Sequence, residues 1–130
     1  MNMAAAPKTR PKYYEFNLLH HWAPAVLSIF HRISGALLFF PVLPLLLYSL
    51  HITLGSPEGF GRWQEFFAHP LVKLIMLGFL WLYAHHFWAG LRYLLLDLHW
   101  GVAKAPARAS AFLVFALGLA TVVLIGWRLW

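Results

Sequence analysis

The sequence predicts an all-α membrane protein with three transmembrane helices and a cytoplasmic N-terminus. Three observations carry that expectation. Of 130 residues, 62% are hydrophobic and 11% charged, whereas a soluble domain carries about 25% charged residues. Three apolar stretches, near residues 25–50, 70–98 and 109–128, approach or exceed the roughly 20 residues that cross a bilayer. The cations outside those stretches are distributed unevenly between the two sides.

The chain divides into an N-terminal segment, residues 1–23, expected at the cytoplasmic surface and interface, and a membrane anchor domain, residues 24–130. Residues 1–12 are polar and basic, with no apolar core of a cleavable signal, which fits a bacterial chain inserted without processing. Tyr13, Tyr14, Phe16 and Trp22 suit a headgroup layer. Pro24 fits the first turn of helix one, and Pro41 and Pro44 are expected to bend its second half. Residues 51–69 are expected to form a loop. Ser56, Pro57 and Glu58 there form a helix-start pattern for a short helix bearing Phe60, Trp63, Phe66 and Phe67. Helix two follows, then a basic loop over 99–108, then an uncharged third helix closed by Trp127 and Arg128.

Three spans place the termini on opposite sides. Lys8, Arg10, Lys12, Lys104 and Arg108 lie on one side, and Arg62, Lys73 and Arg128 on the other. The positive-inside rule assigns the first side to the cytoplasm. The net charge of +6 reads as membrane topology. No basic stripe with interleaved aromatics marks a nucleic-acid surface. With no cysteine, the chain can supply neither disulfides nor thiolate ligands for iron–sulfur clusters.

The costly residues are the informative ones. His85 and His86 lie deep in helix two, followed by Arg92 and Asp97. Ionisable groups at that depth mark functional sites. The 3.6-residue period puts His86, Gly90, Tyr93 and Asp97 within about 60° of one another and turns His85 about 100° away. His86 beside a glycine suits axial ligation of a flat macrocycle, with the gap admitting the ring edge. Both histidines acting as hydrogen-bonding glue between helices is the other reading. Neither has a second nitrogen or sulfur ligand at helical spacing for zinc. On helix one, Ser28, Arg32 and Gly35 share a face, with His31 at its edge. A hydroxyl and a guanidinium one turn apart can donate to a carbonyl oxygen or neutralise a carboxylate. Arg32 reaching back to headgroups is the alternative. The remaining histidines, at 20, 21, 51, 69 and 99, read as polar edge residues.

Two motifs resemble those of the cytochrome b membrane-anchor family of succinate dehydrogenase, respiratory complex II. Arg10-Pro11 precedes Ser28-Ile29-Phe30-His31-Arg32-Ile33-Ser34-Gly35, and His86-Phe87-Trp88-Ala89-Gly90-Leu91-Arg92 leads to Asp97. The resemblance spans nearly the whole chain. Lys12, Tyr93 and His99 depart from the residues common at their positions.

The resemblance implies a bacterial inner-membrane subunit of a larger helical bundle, partnered by a flavoprotein, an iron–sulfur subunit and a second membrane anchor. His86 matches the axial ligand of haem b, the second anchor supplying the other. Ser28 and Arg32 match ubiquinone-site residues, and His31 and Arg32 match groups near the haem propionates. FAD and iron–sulfur clusters would reside only in partners. A haem-free or fumarate-reductase-type quinone-binding anchor and a non-redox membrane scaffold are the alternatives.

Overall fold

The computed structural model describes residues 18–129. Most of the expected interfacial segment, including Arg10-Pro11, lies outside the described residues. Within them the protein is all helical. It comprises α1 (Leu18–Leu37), a π-helical turn (Leu38–Val42), α2 (Leu43–Gly55), α3 (Pro57–Ala68), α4 (Pro70–Asp97) and α5 (Lys104–Leu129). Three helical stretches are long and apolar enough to cross a membrane: Trp22–Gly55, Pro70–Asp97 and Lys104–Arg128.

The first is longer than expected. Pro24 lies inside α1 rather than in its opening turn, and the helix continues through Gly55 where a loop was expected from residue 51. Pro41 and Pro44 bring neither a break nor a gap in the helical assignment. Each lacks an N–H and would crowd the carbonyl four residues back. The chain widens locally instead, with Leu43 N–H donating to Leu38 O five residues earlier. Pro44 follows directly after this widened turn, in the first turn of α2.

Ser56 is extended and caps α3, its hydroxyl accepting from Gly59 N–H at 3.0 Å. Pro57 and Glu58 occupy the first turn, as the sequence pattern requires. Gly59 is obligatory here, because a Cβ would lie 2.5 Å from Ile52 O. Trp63 packs on Phe66, Phe67 and Tyr48, which holds α3 against α2.

Helices α4 and α5 form a closely packed pair, and α1 lies across both. Small residues permit the approach: Ala84, Ala89, Ala111 and Gly118 are buried. Between apolar helices in lipid, packing and hydrogen bonds replace the hydrophobic drive. Trp88 Nε1 donates to Thr121 Oγ1 at 3.1 Å. Arg92, only 6% exposed, donates from Nε to Ser110 Oγ at 2.9 Å and from Nη2 to Ala107 O at 3.0 Å. A guanidinium so enclosed needs these acceptors, and they tie the end of α4 to the start of α5.

The turn after α4 is tight. His99 N–H donates to Leu96 O and Trp100 N–H to Leu95 O, which satisfies the last carbonyls of the helix. The closure puts His99 at φ 63°. With glycine absent at this position, an L side chain bears a left-handed backbone, at about 1–2 kcal/mol. We expect His99→Gly to raise thermal stability in detergent by about 1 kcal/mol, and His99→Ala not to do so. A lower melting temperature for the glycine variant would show that the His99 side chain contributes more than its strain.

Candidate functional site

The two histidines of α4 face different environments. His85 is fully buried against α5, with Gly118 directly behind its backbone. Its ring lies among Phe30, Trp81 and Phe115 at centroid distances of 5.3–5.9 Å. Among the described residues neither ring nitrogen makes a well-formed hydrogen bond. The ring is held there by packing.

His86 is half-buried and faces α1. Its Nδ1 lies 3.1 Å from the backbone O of His31 and 3.2 Å from Ser34 Oγ. Ser34 Oγ itself donates to His31 O at 3.0 Å. The His31 ring stacks on the His86 ring, centroids 4.2 Å apart and planes within 9°. Gly35 completes the enclosure: a Cβ there would lie 2.8 Å from His86 Cε1.

These contacts select a tautomer. A carbonyl oxygen can only accept, so a bare Nδ1 lone pair at 3.1 Å would face another lone pair. Nδ1 therefore carries the proton, and in the neutral ring the lone pair resides on Nε2. Nε2 makes no hydrogen bond with a described residue and is not among the enclosed nitrogens. A histidine held by a backbone carbonyl through one nitrogen, with the other bare, is the usual arrangement of a metal-ligating imidazole. The residues thus fit ligation of a haem iron by the His86 imidazole. Among the described residues, no group of three or more His, Asp or Glu side chains is arranged to hold a bare metal ion.

A Cβ at Gly90 would meet only His31 Nε2, at 3.8 Å, so the gap there stays open. The close approach to His86 is made by Gly35, from the facing helix. His31, grouped by resemblance with propionate contacts, forms the stacking floor under His86 and adjoins Tyr93 at 5.0 Å. Tyr93 Oη is buried and has no hydrogen-bond partner among the described residues.

Ser28 and Arg32 stand one turn apart on α1. Ser28 is half-buried and Arg32 exposed, and neither has a hydrogen-bond or ion-pair partner among the described residues. A hydroxyl and a guanidinium left available on one turn can both donate to an oxygen-bearing ligand. Asp97, exposed at the end of α4, is not joined to them.

Ser34 is the residue that helical periodicity did not single out for His86. The signal was present, since Ser34-Gly35 closes the helix-one motif. Its partner is 52 residues away, and only the crossing of α1 and α4 reveals it.

Residues 6–125 match the profile of the succinate dehydrogenase/fumarate reductase transmembrane subunit. The chain is also similar to the succinate dehydrogenase cytochrome b556 subunit of Coxiella burnetii, with 34% identity over 122 residues, covering 93% of this chain and 97% of that one.

The packing at Gly35 generates a stability prediction. Gly35→Ala must displace the His86 ring and is expected to cost about 1–3 kcal/mol. Gly61→Ala, in open space on α3, should stabilise by up to about 1 kcal/mol. Thermal melts of the detergent-solubilised protein check both, and equal effects would show that His86 is not held by this contact.

Proposed function

Because the chain belongs to the succinate dehydrogenase/fumarate reductase transmembrane-subunit family, we propose that it carries haem b at His86 and helps form the ubiquinone-reduction site of a bacterial complex II. It is a multi-pass membrane protein, consistent with an inner-membrane anchor subunit. The observation that carries the haem assignment is the bare Nε2 of an imidazole tied at Nδ1 to the His31 carbonyl.

Quinone reduction consumes two electrons and two protons. A chain without cysteine holds no iron–sulfur cluster of its own. Electrons would therefore arrive from a flavoprotein and an iron–sulfur subunit, with a second anchor supplying the other axial ligand. When bound, the haem supplies a one-electron store beside the quinone path. Ser28 and Arg32 act on the quinone itself. The Arg32 guanidinium and the Ser28 hydroxyl donate to a carbonyl oxygen and stabilise the negative charge that grows there. Arg32 is also the cation available to a propionate, with His31 adjoining. The N-terminus and the α4–α5 turn would lie on the cytoplasmic side, by the distribution of lysine and arginine. Water at that surface is the proton source.

The family description covers both reaction directions. The Coxiella relative's name supports succinate oxidation over fumarate reduction.

In the purified complex, His86→Ala is expected to abolish the low-spin haem absorption while His85→Ala retains it. An unchanged spectrum in the first variant removes the ligand assignment. Arg32→Ala should lower succinate-to-quinone turnover about 10- to 100-fold, the worth of one hydrogen bond from a charged group. Succinate oxidation with a soluble artificial acceptor should stay near the parent level. Equal losses in both assays would indicate failed assembly instead.

A further inference from the structure

We infer that Ser34 is the positioning residue of His86: its hydroxyl, bridging the His31 carbonyl and His86 Nδ1, sets the tilt at which the imidazole presents Nε2. The inference rests on the haem reading above and adds a role for a side chain that would not touch the haem.

Three constraints act on the His86 ring, and each limits a different motion. The His31 ring, parallel at 4.2 Å, stops the imidazole from tipping toward it. The Gly35 backbone blocks displacement at the Cε1 edge, where a Cβ would already be within 2.8 Å. Rotation within the remaining slot is set by the acceptors facing Nδ1–H. His31 O lies 3.1 Å away and Ser34 Oγ 3.2 Å away, so the proton is shared between them. Ser34 is 1% exposed, which leaves its hydroxyl no solvent to turn to. Its own proton goes to His31 O at 3.0 Å. That bond points the hydroxyl's lone pairs away from the carbonyl, toward Nδ1–H. Without Ser34, the imidazole retains one acceptor and can swing toward it.

Thr53 supplies an internal control. Its Oγ1 donates to Leu50 O at 3.1 Å, three residues back on its own helix, as Ser34 does. It has no cross-helix partner and lies well away in sequence from the histidine pair. Hydroxyls bonded back to the helix can bend it, so Thr53→Ala removes that local effect alone.

The test uses the full complex, purified with its haem and read by electron paramagnetic resonance in the oxidised state. The low-spin line position reports the orientation of the axial imidazole. Ser34→Ala should retain haem while its resonance shifts and broadens, Ser34→Thr should restore the parent line, and Thr53→Ala should leave it in place. If Ser34→Ala does not assemble, Ser34→Cys replaces it, with a weaker hydrogen-bonding group, and the same shift is expected. A parent-like line in the alanine variant, or in the cysteine variant standing in for it, overturns the inference. An equal shift in Thr53→Ala also overturns it, because helix bending would then suffice. Retention of the haem signal by His86→Ala would overturn the haem reading itself. Failure of Ser34 alone leaves that reading standing.

Discussion

The arrangement of the candidate site depends on one hydrogen bond between helices, from His86 Nδ1 to the backbone carbonyl of His31. A carbonyl inside α1 accepts from its own helix, here from the Ser34 hydroxyl as well, and it meets His86 Nδ1 only because another helix comes close. Gly35 is what lets α4 come that close, because any side chain there would strike the imidazole. The bond then fixes the protonated nitrogen and leaves the other available. Local helix geometry, cross-helix packing and coordination chemistry meet at this point. A change in any one of them alters the other two.

The polar groups of the described bundle are used unequally. Arg92, Trp88, Ser110 and Thr121 consume their hydrogen bonds in joining α4 to α5. In lipid these bonds replace part of the drive that water would supply. Arg32 and Ser28, one helix away, make no such bonds with described residues. A cation that satisfies no neighbour is costly in an apolar span, and it is useful only if a ligand, a partner subunit or a headgroup completes it. Arg92 thus joins α4 to α5, whereas Arg32 makes no such bond with described residues.

His85 and His86 make the same contrast within two adjacent residues. One lies in an aromatic enclosure, with no well-formed hydrogen bond from either nitrogen to a described residue. The other is tethered by one nitrogen with the second open. The 100° step of the helix separates them, and that step is readable from spacing alone. Which of the two directions meets an acceptor is not, because the answer lies on α1.

The sequence by itself determined the three spans, the short capped helix after Ser56 and the angular separation of the adjacent histidines. Each follows from properties local to the chain: apolar length, a capping hydroxyl with proline behind it, and a fixed angular period. It left several features to the tertiary structure. Proline spacing could not show the π-helical widening at Leu38–Val42, because neighbouring carbonyls decide how a missing N–H is accommodated. Gly90 was read as room beside His86; the tight approach to that ring comes from Gly35 on the facing helix, which spacing within α4 could not show. The Ser34–His86 bond joins residues 52 positions apart. No periodicity within one helix encodes such a contact; it exists only where α1 crosses α4, and that crossing is set by packing between the two surfaces.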